Sequence, residues 1–283
     1  MRADPSLISV TAKLAAYYRG FSDIPFAAEV AKRIGAEEAF EGILREHHLE
    51  RDKLTFYAPM FEARYKSITQ LISKSGASQV LELASGYSLR GLDLTQQGTL
   101  RYVETDLPNV IATKRALIED LGLQPSPRHA VVSADALDLE EVRSAAASLD
   151  PKERLTILCE GLVMYLSKTE TEKLATNIHT MLRAGGSWIC PDFTFRSEMK
   201  DLAPERLRLR EAVTGVTQRQ VDASAFEDAD DLNAFLHRMG FDVQVKSQID
   251  ETPSFSSLEP LGLAPAMLDR MKGILRVWVM TPR

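Results

Sequence analysis

The stretch Val80-Leu81-Glu82-Leu83-Ala84-Ser85-Gly86-Tyr87-Ser88-Leu89-Arg90-Gly91 carries an apolar run into small residues. Small residues at a strand end let a ligand approach the backbone closely. Leu92 and Asp93 stand where a phosphate-binding loop needs Lys and Ser/Thr, and the glycine spacing is not that of a dinucleotide-binding turn. Nothing here prepares a glycine-rich helix start for a pyrophosphate. Taken alone, the residues serve a plain strand-to-helix turn equally well.

Roughly twenty residues on, Tyr102-Val103-Glu104-Thr105-Asp106-Leu107-Pro108 places Glu104 and Asp106 at the end of a second run. Ionised carboxylates there can accept both hydroxyls of a ribose. Asp106 also stands where it could cap the helix that Pro108 begins. Asp135 follows a third run and could accept from an adenine amino group, or be an ordinary loop aspartate. Glu160 precedes the apolar wall Gly161-Leu162-Val163-Met164-Tyr165-Leu166, and a carboxylate there is costly to bury unless it meets a donor or a cation. Asp192, in Pro191-Asp192-Phe193, suits a pocket or a helix cap.

Other candidates are weaker. His47 and His48 are adjacent in a charged stretch, so on a helix they diverge too far to share a metal, and His129, His179 and His237 are isolated. Cys159 and Cys190 end apolar runs with no local base, which favours packing over thiol chemistry. No metal site is expected.

The elements that must position these residues change character near residue 78. Before it, Leu7, Val10, Leu14 and Tyr17 or Tyr18 recur at helical steps, and further helical patterns cover residues 26–34 and 39–49. After it, short apolar runs alternate with amphipathic segments, predicting strands at 79–83, 101–104, 130–133, 155–160, 186–191, 242–246 and 275–280. Such alternation implies an α/β fold with a mostly parallel sheet covered on both faces. A helix begins at the Ser167/Glu170 capping box and closes near Gly185 and Gly186. Only a Pro- and Ser-rich connection, residues 252–265, separates the last two strands, so they are expected to pair antiparallel. Residues 196–231 carry both charge signs and few large apolar residues after Leu209, predicting an exposed helical insertion or lid. The expected organisation is a helical cap over residues 1–77 and a ligand-binding domain over 78–283.

The chain has 283 residues, 45% apolar and 26% charged, and a net charge of -6. This ordinary globular composition, without a basic block, argues against nucleic acid as a partner. No apolar run approaches the roughly eighteen residues of a membrane span, and MRADPSLISV lacks the marks of a secretory leader. Two cysteines in apolar runs fit reduced thiols, so a cytoplasmic protein without membrane association is expected.

Taken together, the pieces resemble the class I S-adenosylmethionine-dependent methyltransferases of the leucine carboxyl methyltransferase and tetracenomycin-type polyketide O-methyltransferase group. The resemblance rests on Thr11-Ala12, Phe61-Glu62-Ala63-Arg64-Tyr65, the loop from Glu82 to Arg90, Glu104-Thr105-Asp106-Leu107-Pro108, Asp135, and the Glu160 to Leu166 segment. It implies a doubly wound, seven-stranded Rossmann-like sheet with an antiparallel last strand and a helical N-terminal cap. It also implies S-adenosylmethionine as cofactor and methylation of a carboxylate or hydroxyl on a small, polyketide-like molecule or a carboxyl group. By position, Arg64 would pair with the methionine carboxylate, with Lys13 as a second cation. The Glu82, Ala84 and Gly86 loop would pass beside the cofactor, Asp106 and Glu104 would take the ribose, and Asp135 the adenine edge. Glu160 would line the methionine side, and Tyr165 would face the reacting centre. The departure is Ala84-Ser85-Gly86, where the family commonly has Gly-Ala-Gly. A catalytically silent cofactor-binding module and, less favoured, a nucleotide-dependent oxidoreductase are the rival readings.

Overall fold

The computed structural model describes residues 5–96, 98–182, 186–200, 202–217 and 225–283. Four helices precede the first strand: α1 (Pro5–Arg19), α2 (Ala27–Arg33), α3 (Ala36–His47) and α4 (Tyr57–Ser75). Then β1 (Gln79–Leu83), α5 (Arg90–Gln96), β2 (Arg101–Asp106), α6 (Pro108–Asp120), β3 (His129–Ser133), α7 (Leu139–Ala145), β4 (Leu155–Cys159), α8 (Lys168–Met181) and β5 (Ser187–Cys190) alternate. The remainder is α9 (Arg196–Met199), α10 (Pro204–Thr217), α11 (Ala229–Arg238), β6 (Phe241–Ser247), α12 (Gln248–Glu251), α13 (Ala266–Met271) and β7 (Arg276–Pro282).

Local chemistry sets the helix starts. Asp138 accepts from two backbone N–H groups at the start of α7, Ser167 and Glu170 form the reciprocal capping box of α8, and Pro108 opens α6 with a residue that has no N–H to strand. At its far end α8 stops at Met181 with Leu182 in an extended conformation, and Gly185 lies outside the described residues.

Among the described residues the strands form one sheet in the order β3-β2-β1-β4-β5-β7-β6. The first five run parallel, and β7 lies antiparallel between β5 and β6, as the weak crossover predicts. Each residue of β1 and four of five in β4 are buried, because helices cover both faces. The order reverses at β1, whose neighbours are β2 and β4. Such a switch point opens a crevice beyond the carboxyl ends of the strands, and the candidate residues after β1, β2, β3 and β4 all fall there.

The N-terminal helices share one apolar cluster with the sheet's own helices. Leu14, Tyr17 and Tyr18 of α1 pack with Phe40 of α3, Tyr57 of α4, Tyr87 and Leu89 after β1, and Leu117 of α6. Helix α10 joins this cluster through Leu209 and Ala212, both buried. The expectation of an exposed insertion is corrected there: its start and middle are helical, but α10 buries one face against α1. Residues 201 and 218–224 of that insertion lie outside the described residues. No helix among the described residues is long and apolar enough to cross a membrane.

Candidate active site

The loop after β1 is shaped by backbone conformation before any side chain acts. Ala84 and Gly86 both have φ near +54°, the left-handed region, which costs alanine energy and glycine almost none. The loop is fixed by its N–H groups: Ser85 donates to the Thr105 carbonyl at 2.9 Å, and Gly86 donates to Asp106 Oδ2 at 2.7 Å. Helix α1 crosses above, with the Ala12 Cβ 3.7 Å from where a Cβ on Gly86 would lie. Lys13 follows on the same turn, half-buried.

Asp106 is the carboxylate this loop presents. Its Oδ1 accepts from the Leu107 N–H at 2.7 Å, and the N-cap of α6 is Leu107, so Asp106 ties two backbone segments together and does not cap the helix. Burial pushes its carboxyl up, against the N–H donors of Gly86 and Leu107 and the charge of Lys114. A carboxylate offers about four acceptor sites and the backbone uses two here, which leaves lone pairs for hydroxyl donors. Asp135 is half-buried beyond β3, where its Oδ1 accepts from the Leu137 N–H at 2.9 Å.

Two other acids read as cofactor ligands turn inward. Glu82 is buried, with Oε1 2.8 Å from Arg90 Nη1 and Oε2 accepting from the Tyr102 hydroxyl at 2.7 Å. Glu104 is fully buried and meets Lys114 Nζ at 2.9 Å, His129 Nε2 at 3.1 Å and the Gly91 N–H at 3.1 Å. The two sit opposite each other in the β1–β2 register, facing the helices that supply their cations. A Cβ on Gly91 would lie 2.6 Å from Tyr102 and 3.0 Å from Glu104, so only glycine lets α5 approach this cluster. Glu82 and Glu104 are therefore corrected from ligand contacts to supports of the floor below the loop.

Glu160 meets the cations its burial demands. It is paired with Arg19 from α1 and with Arg90 Nη2 at 2.8 Å. Burial opposes its ionisation, but Arg19, Arg90 and Arg64 outweigh this and hold its carboxyl at about 2. Arg90 is itself fully buried, joins Glu82 to Glu160 and lies 4.2 Å above the Tyr65 ring. Arg90 carries no role legible from the sequence, and Arg19 does not stand out there at all. The signal for both was the need of Glu160 for a cation, which does not say where in the chain the cation lies.

Arg64, Asp192 and Tyr165 come together beside Glu160. Glu62, one turn earlier in α4 than Lys66, is buried and accepts the N–H groups of Ser256 at 2.8 Å and Ser257 at 3.0 Å. That anchors α4 and with it the Arg64 position. Asp192 Oδ2 accepts from Gly161 N and from Leu162 N at 3.0 Å, which fixes the loop carrying Glu160 and Tyr165. Its buried Oδ1 has no hydrogen-bond partner among the described residues, and Arg64 Nη1 stands 3.8 Å away. Burial pushes the Asp192 carboxyl up, against Arg64. Tyr165 is hydrogen-bonded with Thr11 and set near Asp192, Arg64 and Arg210, and burial raises its hydroxyl, so it is a neutral donor at pH 7. The histidines lie elsewhere. His129 belongs to the Glu104 cluster, His179 meets the Phe241 ring edge-on at 5.2 Å, His47 and His48 end α3, and His237 is in the last turn of α11. Cys159 and Cys190 are buried free thiols on neighbouring strands, and the Trp188 indole donates to the Cys159 sulfur at 3.2 Å.

The sequence profile of the leucine carboxyl methyltransferase family matches residues 27–179, more than half of the chain. The chain belongs to the leucine carboxyl methyltransferase family. A candidate S-adenosyl-L-methionine-dependent methyltransferase of Mycolicibacterium smegmatis is 30% identical over 217 residues, covering 72% of this chain and 68% of that one. The crystal structure of a candidate methyltransferase from Thermobifida fusca shares the fold, with a TM-score of 0.56 over 95% of this chain and 94% of that one at 17% identity. A candidate O-methyltransferase from Nostoc punctiforme gives 0.51 over 79% of this chain at 17% identity, and the match spans 57% of that longer chain. This leucine carboxyl methyltransferase homologue is thus an S-adenosylmethionine-dependent methyltransferase.

The residues present fit that cofactor. Asp106 keeps lone pairs for ribose hydroxyls, Asp135 offers an acceptor for the adenine amino group, and Arg64, 3.8 Å from the Asp192 carboxylate, suits a carboxylate. The unpartnered Asp192 Oδ1 suits an ammonium or sulfonium charge, whereas both Glu160 oxygens are already met by Arg19 and Arg90.

Proposed function

We propose that the protein methylates a carboxylate oxygen of a small organic acid. When bound, S-adenosylmethionine supplies an electrophilic methyl on a sulfonium, whose carbon–sulfur electron pair returns to sulfur as the new oxygen–carbon bond forms. The chain's own task is then alignment and exclusion of water, and alignment alone can supply about 7 to 11 kcal/mol. The observation that carries the choice of acceptor is the absence of histidine from the site, since all five lie elsewhere. Glu160 is held as an anion between arginines and Tyr165 keeps its proton, so neither serves as a base near pH 7. A carboxylic acid with a pKa of about 4 is already ionised, whereas a phenol near about 10 needs a base. In this reading Glu160 organises charge beside the cofactor, and Tyr165 donates a hydrogen bond at the reacting centre. Arg64, Asp106 and Asp135 hold the cofactor, and Lys13 contributes a second cation. The family's name, that of a carboxyl methyltransferase, supports the same choice.

A screen of carboxylic and phenolic metabolites with labelled cofactor tests this. The expected product is a base-labile methyl ester, formed at a rate that is flat from about pH 6 to 9. A base-stable ether, with a rate rising steeply through that range, would overturn the acceptor class.

A further inference from the structure

Lys114 joins the floor of the site to the loop above it. It stands fully buried in the second turn of α6, and its Nζ donates to Glu104 Oε2 at 2.9 Å and to the Ser85 hydroxyl oxygen at 2.9 Å. A cation that only neutralised Glu104 would have no need of Ser85, because a hydroxyl carries no charge to offset. Ser85 is the middle residue of the Ala84-Ser85-Gly86 turn. Its own N–H is tied to the Thr105 carbonyl at 2.9 Å, and the next N–H, that of Gly86, to Asp106 Oδ2 at 2.7 Å. The turn is thus pinned to β2 by its backbone and to α6 by one side chain. The same ammonium reaches Asp106 through space, where its charge opposes the protonation that burial favours. Glu104 also takes His129 Nε2 and the Gly91 N–H, each at 3.1 Å, so Lys114 is anchored on a group that β3 and α5 hold as well. Arg115, next on α6, serves another purpose: it is exposed and donates to the Val131 carbonyl at 2.6 Å.

We propose that Lys114 is the positioning residue of the ribose site: shared between Glu104 and the Ser85 hydroxyl, its ammonium fixes the loop that Asp106 braces and so sets how strongly the ribose hydroxyls are held. The proposal rests on the assignment of Asp106 to the ribose and adds the group behind it. Lys114 is buried behind the loop and acts through two links. One is mechanical, from Nζ through Ser85 to the Gly86 N–H that Asp106 accepts. The other is electrostatic, its charge favouring the carboxylate over the carboxylic acid at Asp106. An ionised carboxylate presents acceptors alone, whereas its protonated form gives one oxygen over to a donor, so both links act on the ribose hydroxyls and neither on the adenine or the methionine carboxylate. Loss of Lys114 is therefore read as lost discrimination for the ribose, not as a uniform loss of affinity.

Calorimetry on the full chain with S-adenosylhomocysteine and with its 2′-deoxyribose analogue reads that discrimination as the ratio of the two affinities. The wild type is expected to prefer the full ribose by about tenfold or more, as for a hydrogen bond to a charged acceptor. Lys114→Met alone would leave Glu104 buried without its cation, so the two charges are removed together in Lys114→Met/Glu104→Gln, and the loop contact is removed separately in Ser85→Ala. The ratio should fall about fivefold in the double variant and about threefold in Ser85→Ala. Adding Ser85→Ala to the double variant should change the ratio no further, since the hydroxyl then has no ammonium to meet. Arg115→Gln, which cuts a tie between α6 and β3, should keep the wild-type ratio. A wild-type ratio in Ser85→Ala and in the double variant, or an equal loss of affinity for both ligands, would overturn the positioning role. If Asp106→Ala abolishes the ratio while those variants keep it, the ribose assignment stands and the role of Lys114 falls. If Asp106→Ala keeps the ratio while they lose it, the ribose assignment falls and Lys114 acts on the hydroxyls through Ser85 alone. No preference in the wild type would overturn both.

Discussion

Glu104 and Asp106 are two residues apart on β2 and point to the same face, yet they are satisfied in different ways. Glu104, like its neighbour Glu82 across the β1–β2 pair, is neutralised by side-chain cations and sealed from water. Asp106 and, two residues beyond the end of β5, Asp192 are held by backbone N–H groups of the loops they brace. An acid paired with lysine or arginine spends its charge inside the fold. An acid held by backbone N–H groups keeps its charge and spare lone pairs for a ligand while fixing the loop that faces the ligand. A few ångströms of depth along the same strands therefore separate the floor of the site from its working rim.

The largest effect should come from the floor. Arg90→Met leaves Glu82 and Glu160 buried without their shared cation, and breaking such a pair costs about 3–5 kcal/mol. Denaturant unfolding should show a matching fall in midpoint. A near-wild-type midpoint would mean that the floor is not held by this charge network and that the contrast with the rim is false.

Acid should expose the same contrast. The Glu160 carboxyl lies at about 2 against an ordinary 4.5, so its pairing stabilises the fold fully above about pH 4.5 and is lost as pH falls toward 2. At about 1.4 kcal/mol per unit the contribution is up to about 3 kcal/mol. The carboxyls of Asp106 and Asp192 are raised and contribute with the opposite sign: they favour the fold when protonated, and that part is lost as pH rises through their folded values. Stability measured from pH 5 to about 2 should fall steeply in the wild type and less steeply in Glu160→Gln. Parallel curves would remove Glu160 from the acid response.

At the rim the expected loss is in affinity. Asp106→Ala removes the acceptor assigned to the ribose and the brace on Gly86, which should weaken cofactor binding by about 1.5 to 3 kcal/mol. Asp138→Ala removes only the N-cap of α7 and should cost about 1 kcal/mol of stability with little change in affinity. Calorimetry on the two variants separates these outcomes, and equal affinities would displace Asp106 from the ribose.

Much of this layout was legible because it is local. Parallel strands buried on both faces read as short apolar runs, and the start of α8 was written in its capping box. The β2 strand ran two residues further than its apolar run, because Asp106 continues the ladder with Ser133. Depth was not legible: Glu82, Glu104, Asp106 and Glu160 all look like acids at strand ends, and only helix packing decides which meets a cation. Arg19 and Glu160 are 141 residues apart, a separation no local pattern encodes. The burial of α10 was hidden for the same reason, since Leu209 and Ala212 matter only once α1 lies beside them.

The smallest effect sharpens the rim further. Ala84 holds φ near +54°, so its methyl group sits in a conformation that disfavours L side chains by about 1–2 kcal/mol. Replacing it with glycine relieves this strain but gives the unfolded chain more freedom, at a cost of about 0.5–1 kcal/mol. The net expectation for Ala84→Gly is a gain of roughly 0.5–1 kcal/mol in denaturant stability. Cofactor affinity should change little, because Asp106 and the Thr105 carbonyl already fix the neighbouring N–H groups. Ala84→Val should do the opposite, as a β-branched residue at positive φ is worse than alanine. If the glycine variant loses both stability and affinity, the methyl group is packing against the site, and side chains share with the backbone in shaping the rim.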